Sequence, residues 1–274
     1  MTCTAGIDVG SSYTKAVIIN AQRKVIGSEM LRTGFNFPLA AEKALAGALE
    51  QAGVKREELV YLASTGYGRS MVPFRDIQIT ELTSHAKGTH HFFPGTRTLL
   101  DVGGQTLKAI RIDERAKVKS FRLNDKCAAG TGAFLEKTAR YMGYEVHDIG
   151  ALARRSEEPV SVSSVCAVFA ESEVINHLSS GKKPEDIMNG AIISLAGRAA
   201  QLMKRVRLEP EFACVGGMTR LEAFAEALQE ALKAPVQVPA GGMGSFTGAL
   251  GAALLGLERY QKLQAQAAAQ GATA

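Results

Sequence analysis

The chain has 274 residues, 46% hydrophobic and 22% charged, with a formal net charge of +5 and no tryptophan. That length exceeds one ordinary domain, so two core-bearing lobes are expected. No apolar run approaches roughly eighteen residues, and the first residues lack a charged-then-apolar leader, so neither a membrane span nor a signal peptide is expected and the chain should stay in the cytosol.

Three short strands come first, at residues 5–9, 14–19 and 24–31. Pro38 opens an amphipathic helix through Ala52, with Gly53 just past its end. A strand at 59–64 leads into the turn Thr65-Gly66-Tyr67-Gly68-Arg69, and 80–91 reads as a helix ending before Pro94. The strand pattern restarts at Leu99, with further strands at 107–112 and 117–123, and is largely helical from Thr131 to about Val206. A buried strand at 212–215, a helix at 220–232, a short strand at 236–238 and a last helix from Gly244 to Leu263 follow; the Ala/Gln-rich tail beyond is expected to fray. Strands clustered ahead of helices, twice over, predict an α/β fold with a duplicated βββα core. The lobes are expected at 1–93 plus 243–274, and at 94–242.

One device occurs twice. Residues 5–15 run into Asp8-Val9-Gly10-Ser11-Ser12-Tyr13-Thr14-Lys15, and residues 99–108 repeat the outline as Asp101-Val102-Gly103-Gly104-Gln105-Thr106-Leu107-Lys108. An apolar run, a glycine turn and a second apolar run predict a β-hairpin. Backbone amides and hydroxyls in such a turn can hold phosphate oxygens, and the strand-end Asp can hold a water of Mg²⁺. Two matched copies predict two related lobes closing on one nucleotide. Either copy alone reads equally as an Asp-capped turn.

Four cysteines are present, none spaced as C-x-x-C, which argues against a zinc ribbon or a thioredoxin-type site. Cys3 and Cys214 fall in strands and read as small buried hydrophobes. Cys127 and Cys166 each precede a helix in small, polar surroundings, where free amides and the helix dipole favour a thiolate. Two buried thiols or a disulfide are the plainer readings. If the pair binds iron, a four-iron cluster needs two more thiolates from a second subunit.

Gly6-Ile7-Asp8-Val9-Gly10-Ser11, Thr65-Gly66-Tyr67-Gly68-Arg69, Asp101-Val102-Gly103-Gly104-Gln105, Asn124 through Gly132 with its Lys126-Cys127-Ala128-Ala129-Gly130 core, and Val168 through Glu173 together resemble one family. It comprises the ATP-dependent activators of 2-hydroxyacyl-CoA dehydratases and the ATPase subunits of benzoyl-CoA reductase. The resemblance implies the two-lobed actin/hexokinase/Hsp70-like (ASKHA) ATPase fold. It also implies ATP with Mg²⁺, and a [4Fe–4S] cluster shared between two subunits through Cys127 and Cys166 of each. Asp8 and Asp101 become the Mg²⁺ and phosphate clamps and Gln105 the residue that orients water. Gly10, Ser11, Ser12, Lys15, Gly103, Gly104 and Thr106 line the phosphates, and Gly216-Gly217-Met218-Thr219 lies on the adenosine side. Thr106 departs from the Asp that many activators carry after Gly-Gly-Gln, which leaves Gln105 less supported.

The implied activity is ATP hydrolysis that drives a low-potential electron from a ferredoxin or flavodoxin to an iron–sulfur dehydratase or reductase component acting on CoA thioesters. The implied assembly is a homodimer, or a heterodimer with a related ATPase subunit. A moderately basic surface suits an acidic protein donor, whereas scattered basic residues and 6% aromatics argue against nucleic acid. Two other classes compete: a small-molecule kinase of the same fold, and a non-hydrolysing ATP sensor. The kinase would have no use for Cys127 and Cys166, and the sensor would bind ATP without turnover. Among the remaining signals, His85, His90 and His91 read as surface or packing histidines. Glu171 and Glu173 read as solvated or partner-facing carboxylates, and Arg69 as a candidate contact to nucleotide or lobe interface.

Overall fold

A computed structural model describes residues 2–124, 131–162 and 167–271. The chain divides into two compact units, Met1–Pro94 with Phe246–Ala274, and Gly95–Ser245. The first contains β1 (Cys3–Val9), β2 (Tyr13–Asn20), β3 (Val25–Arg32), α1 (Phe37–Ala52), β4 (Leu59–Thr65), β5 (Ile77–Gln78), α2 (Glu81–Phe92) and, from the end of the chain, α8 (Thr247–Gly271). The second contains β6 (Thr98–Val102), β7 (Leu107–Ile112), β8 (Val118–Asn124), α3 (Gly132–Tyr141), α4 (Ile149–Arg154), α5 (Ala167–Ser179), α6 (Pro184–Lys204), β9 (Phe212–Val215), α7 (Glu222–Leu232) and β10 (Val236–Gln237).

The two sheets are copies in topology. One runs β3-β2-β1-β4-β5 and the other β8-β7-β6-β9-β10. In each, the first three strands form an antiparallel meander and the last two add in parallel. The strand carrying the candidate Asp is therefore central in both sheets.

All seven residues of β1 are buried, as befits a strand covered on both faces. Its period-2 alternation separates two jobs. Cys3, Ala5, Ile7 and Val9 share a core with Ala41, Ala44, Leu45 and Ala48 of α1. Thr4, Gly6 and Asp8 turn to α8: the Thr4 hydroxyl donates to the Ala253 carbonyl at 3.2 Å. A Cβ on Gly6 would lie 2.0 Å from the Ala249 carbonyl oxygen, so glycine there lets the helix backbone rest on the strand. In the second sheet, Leu100, Val102 and Cys214 join a core completed by Met188, Ala191, Ile192 and Leu195 of α6.

Local signals explain the helix ends. The Asn36 side chain accepts from the Leu39 amide, Pro38 lies in the first turn, and Gly53 closes α1 at φ 62°. One strand carries no sequence signal, and one helix runs past its expected end. The two-residue strand β5 is too short to leave a periodic signal. Helix α8 continues past Leu263 to Gly271 although residues 261–270 are exposed, because Ala, Gln, Lys and Leu are strong helix formers. No helix among the described residues is long and apolar enough to cross a membrane.

The contact between α2 and α8 leaves no room for side chains at its crossing. A Cβ on Gly251 would sit 1.8 Å from the Ser84 carbonyl oxygen, and one on Gly88 would sit 2.0 Å from that of Thr247. Gly251→Ala is therefore expected to destabilise the protein by about 1–3 kcal/mol through overpacking. Chemical denaturation of the variant beside the wild type checks this, and an unchanged midpoint would contradict the packing described.

Candidate nucleotide site

Asp8 is the last residue but one of β1, directly opposite Lys15 of β2, and Asp101 is the last but one of β6, directly opposite Lys108 of β7. Facing positions on an antiparallel pair bring side chains together, and both pairs are ionic. Lys15 Nζ lies 3.2 Å from Asp8 Oδ2, with side chains 16% and 9% exposed. Lys108 Nζ lies 2.7 Å from Asp101 Oδ2, with side chains 8% and 4% exposed. The second pair is the tighter and the more buried.

Between the paired residues each hairpin turns on glycine. The Gly10 amide donates to the Tyr13 carbonyl at 3.1 Å, and the Gly103 amide to the Thr106 carbonyl at 2.9 Å. A further glycine stands after the parallel neighbour strand in each unit. Gly66 follows β4 at φ 90°, where a Cβ would lie 2.4 Å from Asp8 Oδ1. Gly216 follows β9 at φ 95°, where a Cβ would lie 2.6 Å from Asp101 Oδ1. Both the backbone conformation and the close approach demand glycine. Each unit thus presents the same four parts: a strand-end carboxylate, a facing ammonium, a glycine turn and a glycine backed against the carboxylate.

The sequence-predicted residues distribute over this frame as follows. Gly10, Ser11 and Ser12 form the first turn, and all three are half-buried. Gly103, Gly104 and Thr106 of the second are half-buried, and Gln105 at its tip is exposed. Lys15, read as a phosphate ligand, is ion-paired with Asp8 in this structure. Gly216 to Thr219 form a tight loop: the Thr219 hydroxyl donates to the Gly216 carbonyl at 2.7 Å, and the Gly216 amide to the Gly244 carbonyl at 2.8 Å. Cys127 and Cys166 lie outside the described residues.

Other signals resolve into structure. Arg69 folds back, its guanidinium donating to the Gly66 carbonyl at 3.2 Å. Glu171 of α5 accepts Lys137 of α3 on both oxygens, at 2.8 and 2.7 Å. That contact raises the Lys137 ammonium's pKa, chiefly through the hydrogen bond to Glu171 and then that to Tyr141. Cys3 and Cys214 are fully buried free thiols. Burial pushes both pKa values up, and the Asp101 charge adds to this at Cys214, so neither favours a thiolate. Among the described residues, no group of three or more His, Cys, Asp or Glu side chains is placed to hold a metal.

Three contributors escaped the sequence. Gly66 carries a signal, since Thr-Gly-Tyr-Gly announces a turn, but its contact with Asp8 requires the parallel pairing of β1 and β4. Buried Thr33 braces the first turn through long-range contacts and has no local signature. His85 is buried, its Nδ1 3.1 Å from the Thr247 hydroxyl. A Cβ on Gly248 would meet both the His85 ring at 3.1 Å and Asp8 Oδ2 at 3.2 Å, so α8 begins against the carboxylate.

Comparison with known proteins identifies the family. Residues 5–256 match the family model described as the BadF/BadG/BcrA/BcrD ATPase family. The activator of lactoyl-CoA dehydratase from Anaerotignum propionicum is 40% identical over 259 residues, covering 94% of this chain and 99% of that one. A benzoyl-CoA reductase subunit from Thauera aromatica is 38% identical over 272 residues, covering 96% of each. The solved activator of the 2-hydroxyisocaproyl-CoA dehydratase from Clostridium difficile, with bound ADPNP, superposes with a TM-score of 0.90 at 37% identity, covering 96% of this chain and 97% of that one. The fold is accordingly the actin/hexokinase/Hsp70-like ATPase fold.

The unequal burial of the two ion pairs has a measurable consequence. Lys108→Met takes the ammonium from a nearly buried carboxylate and is expected to cost about 3 kcal/mol, whereas Lys15→Met, at a wetter pair, costs less. Urea midpoints measured in parallel check the order, and a larger loss for Lys15→Met would contradict it.

Proposed function

The chain belongs to the BadF/BadG/BcrA/BcrD ATPase family, and from that premise we propose that it is an ATP-hydrolysing electron-transfer subunit serving an iron–sulfur partner that acts on CoA thioesters. The duplicated Asp–Lys hairpin with its backing glycine carries the reading. Glycine-centred turns with free approach to backbone amides suit phosphate oxygens, and strand-end carboxylates suit the water shell of Mg²⁺. Relatives named as dehydratase activators and as a reductase subunit supply the client class, the CoA thioester.

Asp8 and Asp101 are the carboxylates that would hold Mg²⁺, which when bound would offset phosphate charge, and the turns Gly10-Ser11-Ser12 and Gly103-Gly104-Gln105-Thr106 would bind phosphates through amides and hydroxyls. Lys15 and Lys108 neutralise the carboxylates they face, and Lys15 also serves phosphate. Gln105, exposed at the turn tip, orients the attacking water. Thr106 contributes a hydroxyl and a carbonyl that closes the turn. Gly216 to Thr219 pack the adenosine side. A phosphoryl group thereby passes to water, in contrast to a kinase of the same fold, which passes it to a small molecule. A sensor would stop at binding.

Cys127 and Cys166 are proposed as the ligands that each of two chains gives to a shared [4Fe–4S] cluster, which when bound supplies a low-potential one-electron carrier. Two thiolates per chain make the assembly a homodimer, or a heterodimer with a related subunit. The donor is a ferredoxin or flavodoxin, whose acidic surface complements the +5 charge of this chain. Nucleotide-driven rearrangement of each subunit gates the electron. The protein works in the cytoplasm of an anaerobe.

Two sets of variants test the reading. Asp8→Asn and Asp101→Asn are each expected to fold yet lose about 100-fold or more in ATP hydrolysis, on the scale of charge and metal effects in phosphoryl transfer. Cys127→Ser and Cys166→Ser, purified without oxygen, should lose the iron–sulfur absorbance that Cys3→Ser and Cys214→Ser retain. Undiminished turnover in either Asp variant, or a full cluster without Cys166, would contradict the assignment.

A further inference from the structure

The two phosphate turns match in outline but are braced differently. In the first, the Thr33 hydroxyl donates to the Gly10 carbonyl at 2.8 Å and the Thr33 amide to the Ser12 carbonyl at 3.0 Å. Since that hydroxyl has one proton, the Thr14 hydroxyl, 2.9 Å away, must donate to Thr33 Oγ1. Both threonines are buried; Thr14 lies in β2 and Thr33 directly follows β3, strands of the sheet that carries the turn. The first turn is pinned to its own scaffold.

The second turn is pinned to a helix. The Gly132 amide donates to the Gly103 carbonyl at 3.3 Å, and the Ala133 amide to the Gly104 carbonyl at 2.9 Å. These are first-turn amides of α3, which lack acceptors within their own helix, so the phosphate turn satisfies them. Gly132 also receives the adenosine-side loop, because a Cβ there would lie 3.3 Å from Met218 Sδ and 3.6 Å from the Gly103 carbonyl oxygen. Two segments assigned to the nucleotide thus converge on the first residue of one helix. Further along α3, Lys137 and Tyr141 reach Glu171 of α5, with Nζ to both carboxylate oxygens and the phenol at 3.4 Å. An unbroken run of contacts leads from Gly103 and Gly104 through α3 to α5.

We propose that the two turns have different tasks: the first, positioned by Thr33, is a fixed anchor for the nucleotide, and the second, hydrogen-bonded to Gly132 and Ala133, relays the nucleotide state to α3 and through Lys137–Glu171 to α5. A change in the second turn cannot keep both amide bonds unless α3 follows, because backbone groups leave no rotamer to absorb it. A change at the first turn is taken up within its sheet. The relay rests on the reading that this chain binds ATP, and it names the part of the site that reports that binding.

The test is hydrogen–deuterium exchange of the α3 and α5 amides in the purified protein, with ADP and with its β,γ-imido ATP analogue, each at saturation. In the wild type the two nucleotides are expected to differ in α3 exchange by about fivefold or more, the lower end of ordinary coupling. Ala133→Pro removes one relay donor without removing an intrahelical bond, since that amide lies in the first turn. It should bind the analogue yet bring the ratio close to about one, while Ala133→Ser, which keeps the amide, behaves as wild type. Thr33→Val should weaken analogue binding about 5- to 10-fold, on the scale of a lost hydrogen bond. Thr33→Ser should restore that binding, and both Thr33 variants should keep the α3 response at saturation. If Ala133→Pro does not fold, Gly132→Pro, at the first helical position, carries the same test. A full response in the proline variant, or its loss in saturated Thr33→Val, would overturn the relay. Failure of the wild type to bind either nucleotide would instead overturn the ATP reading beneath it.

Discussion

A carboxylate at the buried end of a central strand needs a cation within reach, and that requirement organises both halves of this protein. Asp8 and Asp101 are nearly inaccessible, and each faces a lysine across an antiparallel pair. The pairing fixes register, because a one-residue slip would send the lysine to the other face of the sheet. It also fixes the turn between the partners, which closes on a glycine amide in each case. Glycine at 66 and at 216 then follows from space alone, since any side chain would strike the carboxylate. Similar pressure at Gly248 brings the start of α8 against Asp8.

Given that frame, differences between the halves are more informative than their likeness. The Asp101–Lys108 pair is shorter and drier than Asp8–Lys15. One glycine turn is held by a threonine just past β3 and the other by helix amides. Duplication supplies two equivalent turns, and on the reading proposed above their separate anchoring allows one to hold and the other to report. Electron transfer gated by ATP requires such a division, because binding must alter something besides the binding site.

Much of this was legible in the sequence, for identifiable reasons. Asp-x-Gly between two apolar runs, repeated with lysine at the same offset, encodes a hairpin through local chemistry. Asn36-x-Pro38 and Gly53 encode helix ends in the same way. The residues that escaped depend on pairings distant in sequence: Gly66 through β1 and β4, Thr33 through the far strand of the meander, His85 through α8. The ion pair of Lys15 with Asp8 cannot be seen in the sequence until the register of the ladder is known. The length of α8 beyond Leu263 is not announced by the composition, because helix propensity continues an existing helix at little cost. Thr106 shows the converse. Its departure from the related pattern is plain in the sequence, and the structure gives its carbonyl the role of closing the turn, which any residue there would fill.

The central claim, that nucleotide hydrolysis in this chain drives an electron into a partner, is tested most directly by stopped-flow mixing under anaerobic conditions. Reduced protein would be mixed with its iron–sulfur client together with Mg-ATP, with Mg-ADP, or with no nucleotide, and its oxidation followed by absorbance. The account predicts rapid oxidation with Mg-ATP alone, accompanied by phosphate release. Equal rates in all three mixtures, or oxidation without phosphate release, would contradict it.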